Sequence, residues 1–236
     1  MNETTFYDHF HQDRPTGAGV WVASRFCRRI LEFAELKAGD KVLEIGPGRG
    51  AFADLCLERS ISYTAIEPNP HLAEAMEKRG ARVVRALVPP LPEMEERFDC
   101  VVMINVLEHM SDVKEALAIA EQVRRCLTPN GRFVVCSPDY LNLRWHFFNS
   151  DFSHGYVTTQ RRLSQLLISA GYDTCRSTYL SGPLAGLGGL LASAVAGRLP
   201  FGTFHAWFPK SRLLMKLYKI QLTFSRKVLI AGASGS

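Results

Sequence analysis

The chain has 236 residues, of which 47% are apolar and 22% charged, which excludes a disordered or collagen-like polymer and fits one large domain. Its net charge of +5 is unevenly spread: every acidic residue lies at or before Asp173. The last 63 residues therefore carry eight lysines and arginines unopposed, and the first 173 are left at −3. Such a basic third is either a solvated face or a surface that meets anions.

Six cysteines are scattered without a CxxC pair or histidines at zinc spacing, and Cys100 and Cys136 sit in apolar runs, as buried free thiols do. A reduced, cytoplasmic setting is expected. Met1 to Arg14 is polar, acidic and aromatic, unlike a signal peptide. Ser177 to Gly197 holds 21 uncharged residues, but Gly182, Pro183, Gly186, Gly188 and Gly189 interrupt it. Peripheral contact with the inner face of a membrane is expected there, not a span.

Hydrophobic periodicity predicts helix over 18–36, strand over 41–45, helix over 51–59, strand over 62–66, helix over 70–79 and strand over 81–84. Phe98 to Ile104 is a continuous apolar strand of the fully buried kind. Asp112 and Glu115 stand at capping-box spacing before a helix with Val113, Leu117 and Ala120 on one face. Leu127 to Gly131 reads as a turn before a fifth strand, Arg132 to Ser137. A long connection, Pro138 to Val157, follows. Thr158 caps a helix with a Leu163, Leu166, Leu167, Ala170 stripe, stopped at Gly171. Strands over 172–179 and 224–230 complete the series, and the Gly232 to Ser236 tail reads as disordered. Strands alternating with helices predict a doubly wound, mostly parallel α/β sheet with its ligand at the carboxyl ends of the strands.

The decisive segment is Val42-Leu-Glu44-Ile-Gly46-Pro-Gly48-Arg-Gly50, a strand running into a glycine turn that opens a helix. Backbone N–H groups converge there and no side chain obstructs a ligand. Gly46-x-Gly48-x-x-Ala51 also fits the dinucleotide fingerprint loosely. Glu44, two residues before the first glycine, favours S-adenosylmethionine instead: a carboxylate suits an ammonium group and offers nothing to a pyrophosphate. Glu67, 21 residues after Gly46, suits two ribose hydroxyls.

These residues resemble the class I S-adenosylmethionine-dependent methyltransferases over about Ala34 to Tyr179. Glu44 to Gly50 looks like their first motif, and Ile66-Glu67-Pro68-Asn69 like the acidic end of their second strand. Phe98 to His109 resembles the fourth-strand motif, and Leu127-Thr-Pro-Asn-Gly131 the turn before strand five. The resemblance implies a Rossmann-like sheet of seven strands in the order 3-2-1-4-5-7-6, strand seven antiparallel. It also implies that Glu44, Gly46, Gly48 and Gly50 hold the methionine portion, Glu67 with Pro68 the ribose, and Asn105 and Val106 the methionine side. Family members commonly carry an acid after strand three for the adenine; Arg85-Ala86-Leu87-Val88 has none, so backbone and the apolar faces of Ala86 and Leu87 take that place.

Methyl transfer to a hydroxyl requires alignment and removal of a proton. His154, in the loop leaving strand five, is the first candidate base, with Asp151 close enough in sequence to orient it. His109, after strand four, is the second candidate, or it packs beneath the cofactor. Asp151 to Tyr172 resembles a stretch of methyltransferases that act on glycans of surface polysaccharide pathways. His9 and His11, among Phe6, Tyr7 and Phe10, suggest a lid. No carboxylate or histidine cluster has clear metal spacing, so no metal is expected.

Between the last two strands an insertion over 181–221 is too long for an idle loop. Leu213, Leu217 and Ile220 recur beside Arg212, Lys216 and Lys219, with Trp207 and Phe208 upstream, the pattern of an interfacial helix or of a surface helix packed on its domain. The whole therefore reads as one domain: a helical lid (1–36), a cofactor core (37–180), the amphipathic insertion (181–221) and a final strand (222–231). The expected activity is O-methylation of a sugar hydroxyl on a cell-surface polysaccharide or lipid-linked glycan. The alternatives are a small natural product or quinone-like phenol as acceptor, or a non-catalytic module binding membrane or nucleic acid; nucleic acid is not the expected partner.

Overall fold

Each predicted apolar run finds a place in one mixed sheet. The computed structural model describes residues 16–235, so the segment carrying Phe6, Tyr7, His9, Phe10 and His11 lies outside the described residues. Helix α1 (Gly17–Ala34) starts where the Thr16 side chain accepts the Gly19 N–H and stops where Glu35 turns left-handed at φ 55°. Its Cys27, Ile30, Leu31 and Ala34 recur at helical spacing and are buried. Then follow β1 (Lys41–Ile45), α2 (Ala51–Glu58), β2 (Ser62–Ile66), α3 (Pro70–Glu77), β3 (Arg82–Val84) and β4 (Phe98–Ile104). After a 3₁₀ turn (Leu107–His109) come α4 (Val113–Cys126), β5 (Leu127–Pro138), α5 (Tyr140–Leu143), α6 (His146–Ser150) and α7 (Gln160–Ser169). The chain ends with β6 (Thr174–Ser181), β7 (Leu184–Ala185), α8 (Gly186–Ala196), α9 (Phe201–Trp207), α10 (Arg212–Phe224) and β8 (Arg226–Ala233).

The sheet order is β3-β2-β1-β4-β5-β8-β6-β7, eight strands where seven were expected. The extra member is the two-residue β7, which folds back on the end of β6. Strand β8 runs antiparallel between β5 and β6, and the strands from β3 to β5 are parallel. Alternate side chains feed two cores. Leu43, Ile45, Val101, Met103, Phe133 and Val135 meet α4 and α7 on one face. Val42, Val102, Val134 and Cys136 meet α1 and α2 on the other. Each such side chain stabilises the fold by about 1.5–3 kcal/mol.

Several expectations shift. The Leu127–Gly131 turn is absorbed into β5, because a register slip between Phe98 and Cys100 lets Leu127 pair with Phe98 and Arg132 with Cys100. The buried stripe of α4 is Ala116, Ile119, Ala120 and Val123, and Val113 is exposed. Thr159, not Thr158, caps α7; Thr158 donates its hydroxyl to the Pro138 carbonyl instead. Gly232 and Ala233 are strand, held on both sides by β5 and β6, and Ser234 donates to Gly131 and Thr128 carbonyls, so they are no disordered tail.

The segment between β7 and β8 is three helices. In α8 the small residues Gly189, Ser193 and Ala196 face inward, while Leu187, Leu191 and Val195 on the opposite side are exposed, Leu187 to 75%. Helix α10 buries Tyr218 and Gln221, not the Leu213 and Ile220 stripe, both of which are exposed. Trp207, at the end of α9, is 68% exposed. Among the described residues no helix is long and apolar enough to cross a membrane.

Candidate active site

The carboxyl ends of β1, β2, β4 and β5 meet at one edge of the sheet, as the strand register requires. After β1 the chain turns through Gly46 (φ 69°), Gly48 (φ 54°) and Gly50 (φ 77°), all in the left-handed region that favours glycine. At Gly46 a Cβ would stand 2.7 Å from Val106 Cγ2, so the loop after β1 and the end of β4 touch through that missing atom. Around Gly48 a Cβ would meet nothing within 4 Å, which leaves an open approach to the backbone. Asn105 itself is left-handed at φ 53° and exposed, its N–H donated to the Cys136 carbonyl.

Glu67 ends β2 with both oxygens placed: Oε1 accepts from the Asn69 N–H at 2.9 Å and Oε2 from the Gly48 N–H at 3.3 Å. Burial pushes its carboxyl above the ordinary value, and these two backbone bonds pull it back. Further lone pairs of the carboxylate remain to accept hydroxyls. Pro68 leads into the Asn69 cap of α3. Leu87 is exposed, and Ala86 packs partly against the core, which leaves an apolar edge after β3.

Glu44 departs from its expected place. It is 2% exposed and lies beneath the glycine turn, on the α1–α2 face, where Tyr63 Oη donates to its Oε2 at 2.5 Å. Desolvation pushes its pKa up to about 8, against the opposing effect of the Tyr63 bond. Glu44 thus supports the turn from below, and does not present an open anion at the cleft. Nothing short of the β1–β2 register, which sets Tyr63 beside Val42, could have paired the two in the sequence.

The candidate catalytic histidines come together. The Gly155 and Tyr156 N–H groups both donate to the Glu108 carbonyl, which folds the 151–156 loop against the turn after β4. Gly155 permits this approach: a Cβ there would lie 2.5 Å from the Met110 carbonyl oxygen. The rings of His109 and His154 end 5.0 Å apart, edge to face. His154 Nδ1 bonds to the Phe147 carbonyl oxygen at 2.5 Å; a carbonyl only accepts, so Nδ1 carries the proton and the neutral ring keeps a lone pair on Nε2.

Asp151 does not orient His154 directly. Its Oδ1 accepts from both the N–H and the hydroxyl of Ser153, and the Ser153 oxygen meets His109 Nδ1 at 2.7 Å. Asp151 therefore acts on His109, through Ser153. Burial and the neighbouring His154 hold the His109 pKa below the ordinary value, while Asp151 pulls it up.

One participant was not among the sequence candidates. Glu108 is 1% exposed, with Oε2 accepting from Ser137 at the end of β5 and burial pushing its pKa up to about 7. One ligand-type atom from each of Glu108, His109 and His154 lies within 4.8 Å of the others. Spacing along the chain could not disclose this, because His154 arrives from a separate loop.

A family model described as a methyltransferase domain matches residues 19–176. The chain belongs to the S-adenosylmethionine-dependent methyltransferases. Among solved structures, this methyltransferase resembles a SAM-dependent methyltransferase from Archaeoglobus fulgidus at TM-score 0.62 and 19% identity, covering 98% of this chain and 100% of that one. A phosphoethanolamine N-methyltransferase from Haemonchus contortus, solved with S-adenosylhomocysteine, gives TM-score 0.65 at 13% identity over 98% of this chain and 60% of that one. These likenesses fix the fold.

By sequence, it is 30% identical over 113 residues to a demethylmenaquinone methyltransferase of Tropheryma whipplei, 46% of each chain. It is 41% identical over 69 residues to a ribosomal RNA small subunit methyltransferase A of Chlorobaculum parvum, 28% of this chain and 25% of that one. The match thus spans less than half the length of these relatives. Its cofactor is S-adenosylmethionine, and the open cradle at Gly48 beside Glu67 fits that molecule. Bound there, it supplies a methyl group made electrophilic by the sulfonium.

Proposed function

We propose that the enzyme methylates a sugar hydroxyl on a lipid-linked glycan or cell-surface polysaccharide presented at an anionic membrane surface. The observation that carries this reading is the uncovered apolar face of α8, Leu187, Leu191 and Val195, set in the part of the chain that has basic residues and no acidic ones. An exposed apolar face in a basic, acid-free part of the chain suits the boundary of an anionic bilayer. Beside it, Leu184 closes a groove of about 280 Å³ on α1 lined by Trp21, Arg25, Arg28, Arg29 and Glu32, with Arg29 paired to Glu32 at 3.2 Å. Arginines over an aromatic floor suit the phosphate of a lipid carrier.

At the site, Glu67 and the glycine turn hold the cofactor, with Glu44 supporting the turn and Asn105 and Val106 along the methionine side. The acceptor's proton is drawn off at the imidazole pair, with His154 supplying the lone pair and Asp151, through Ser153, fixing His109. A quinone-like phenol is the second reading, favoured by the demethylmenaquinone methyltransferase match.

Incubating the enzyme with methyl-labelled S-adenosylmethionine and fractionated glycans, lipids, RNA and small metabolites tests the assignment. Label is expected in the glycan fraction. Label confined to small aromatic molecules, or to RNA, overturns it.

A further inference from the structure

The cluster behind the imidazoles has more lone pairs than partners. Glu108 Oε1 is buried and has no hydrogen-bond partner, although its sister oxygen accepts from Ser137 at 3.0 Å. A bare buried carboxylate oxygen is costly unless something positive meets it. The buried Lys227 ammonium favours the ionised Glu108 through space, but among the described residues its hydrogen bonds go to the Leu222 and Thr223 carbonyls at 3.3 and 3.4 Å.

Both imidazoles are held in the same sense. His154 Nδ1 donates to the Phe147 carbonyl. Ser153 gives its one hydroxyl proton to Asp151, so its oxygen accepts from His109 Nδ1. In the neutral tautomer that these bonds select, the lone pair of each ring is on Nε2. A backbone carbonyl on one imidazole and a serine–aspartate chain on the other are the supports that metal-binding histidines use to fix tautomer and orientation.

We propose that Glu108, His109 and His154 hold one divalent transition-metal ion, through Glu108 Oε1 and the two Nε2 atoms. Two imidazoles and a carboxylate suit zinc or ferrous iron and leave coordination positions open. Ligand bonds of about 2.0–2.2 Å in tetrahedral geometry set donor atoms about 3.3–3.6 Å apart, inside the 4.8 Å within which one such atom of each residue lies. The proposal rests on reading this cluster as the place where the acceptor loses its proton, and adds the agent: a hydroxyl bound to the ion is acidified by it and releases its proton to solvent water as its oxygen takes the methyl group, so that His154 serves as ligand in place of free base.

The test is a cobalt(II) titration of the full-length, chelator-stripped protein, followed by visible absorption and by calorimetry with zinc(II). One equivalent of cobalt giving d–d bands that zinc abolishes is expected. His154→Ala and His109→Ala should weaken uptake at least about tenfold, as should Glu108→Gln where it folds. His71→Ala, on an exposed residue of α3, should not. No stoichiometric uptake, or uptake unchanged in His154→Ala, overturns the site. Methyl transfer that persists in excess chelator also overturns it and leaves the glycan reading standing; cobalt uptake with label only in another fraction does the reverse.

Discussion

Tyr63 and Glu44 share a hydrogen bond of 2.5 Å across neighbouring parallel strands, at the end of β1 that runs into the glycine turn. Because burial pushes Glu44 up to about 8, the folded chain keeps a proton that the unfolded chain releases above the ordinary value of 4.5. The sign follows: the unfolding free energy falls as pH rises between those values, by up to a few kcal/mol. Glu44→Gln still accepts from Tyr63 but cannot ionise. Urea denaturation at pH 5 and pH 8 should show the wild type losing stability over that interval and Glu44→Gln losing less. Equal losses in both would show that Glu44 is ionised in the folded chain.

Gly46 and Gly48 share a left-handed backbone but differ in their surroundings. An alanine Cβ at 46 meets Val106 Cγ2 at 2.7 Å; at 48 it meets nothing. Both substitutions bear the left-handed penalty of about 1–2 kcal/mol, and only Gly46→Ala adds a clash against β4. Gly46→Ala should therefore have the lower Tm. Gly48→Ala should lose affinity for S-adenosylhomocysteine in calorimetry with a smaller loss of stability, since its methyl group enters the open approach to the cofactor.

The limits of these segments were legible where apolar runs were continuous: β1, β2 and β4 fall on the residues that periodicity marks, because strands buried on both faces leave no ambiguity. Legibility failed where tertiary partners override local chemistry. Gly232 has the composition of a loose tail, yet it pairs with Phe133 on one side and Cys175 on the other. The glycine loop and Glu67 were readable as neighbours because each sits at a strand end, where the Gly48 N–H meets the Glu67 carboxylate. The Glu108, His109 and His154 cluster was not, because it depends on one backbone carbonyl, that of Glu108, receiving the Gly155 and Tyr156 N–H groups.

Asp139 is wholly buried at the end of β5, where it caps α5 through the Leu141 N–H and accepts from Arg226 Nε at 2.6 Å. Arg226 also lies 4.5 Å over the Tyr179 ring, joining β5, β6 and β8. Arg226→Met leaves a buried charge without its counter-ion, which costs about 3–5 kcal/mol. Adding Asp139→Asn should return part of that loss. A chemical-denaturation cycle over the two single variants and the double measures the coupling; simple additivity would mean that the pair is not coupled.

The α8 face separates binding from folding. Leu187 and Leu191 point away from the buried Gly189, Ser193 and Ala196 side, so replacing both with glutamate removes no core contact. Such exposed substitutions change stability by no more than about 0.5 kcal/mol. They do place two negative charges where an anionic bilayer would lie, next to the acid-free, basic end of the chain. Sedimentation with vesicles rich in phosphatidylglycerol should therefore show the wild type bound, with binding that weakens as salt rises, and the double variant free at unchanged Tm. Methylation of a water-soluble acceptor should persist in the variant, because the imidazole pair and the glycine turn stand on other elements. If the double variant binds vesicles as the wild type does, the face meets something other than lipid.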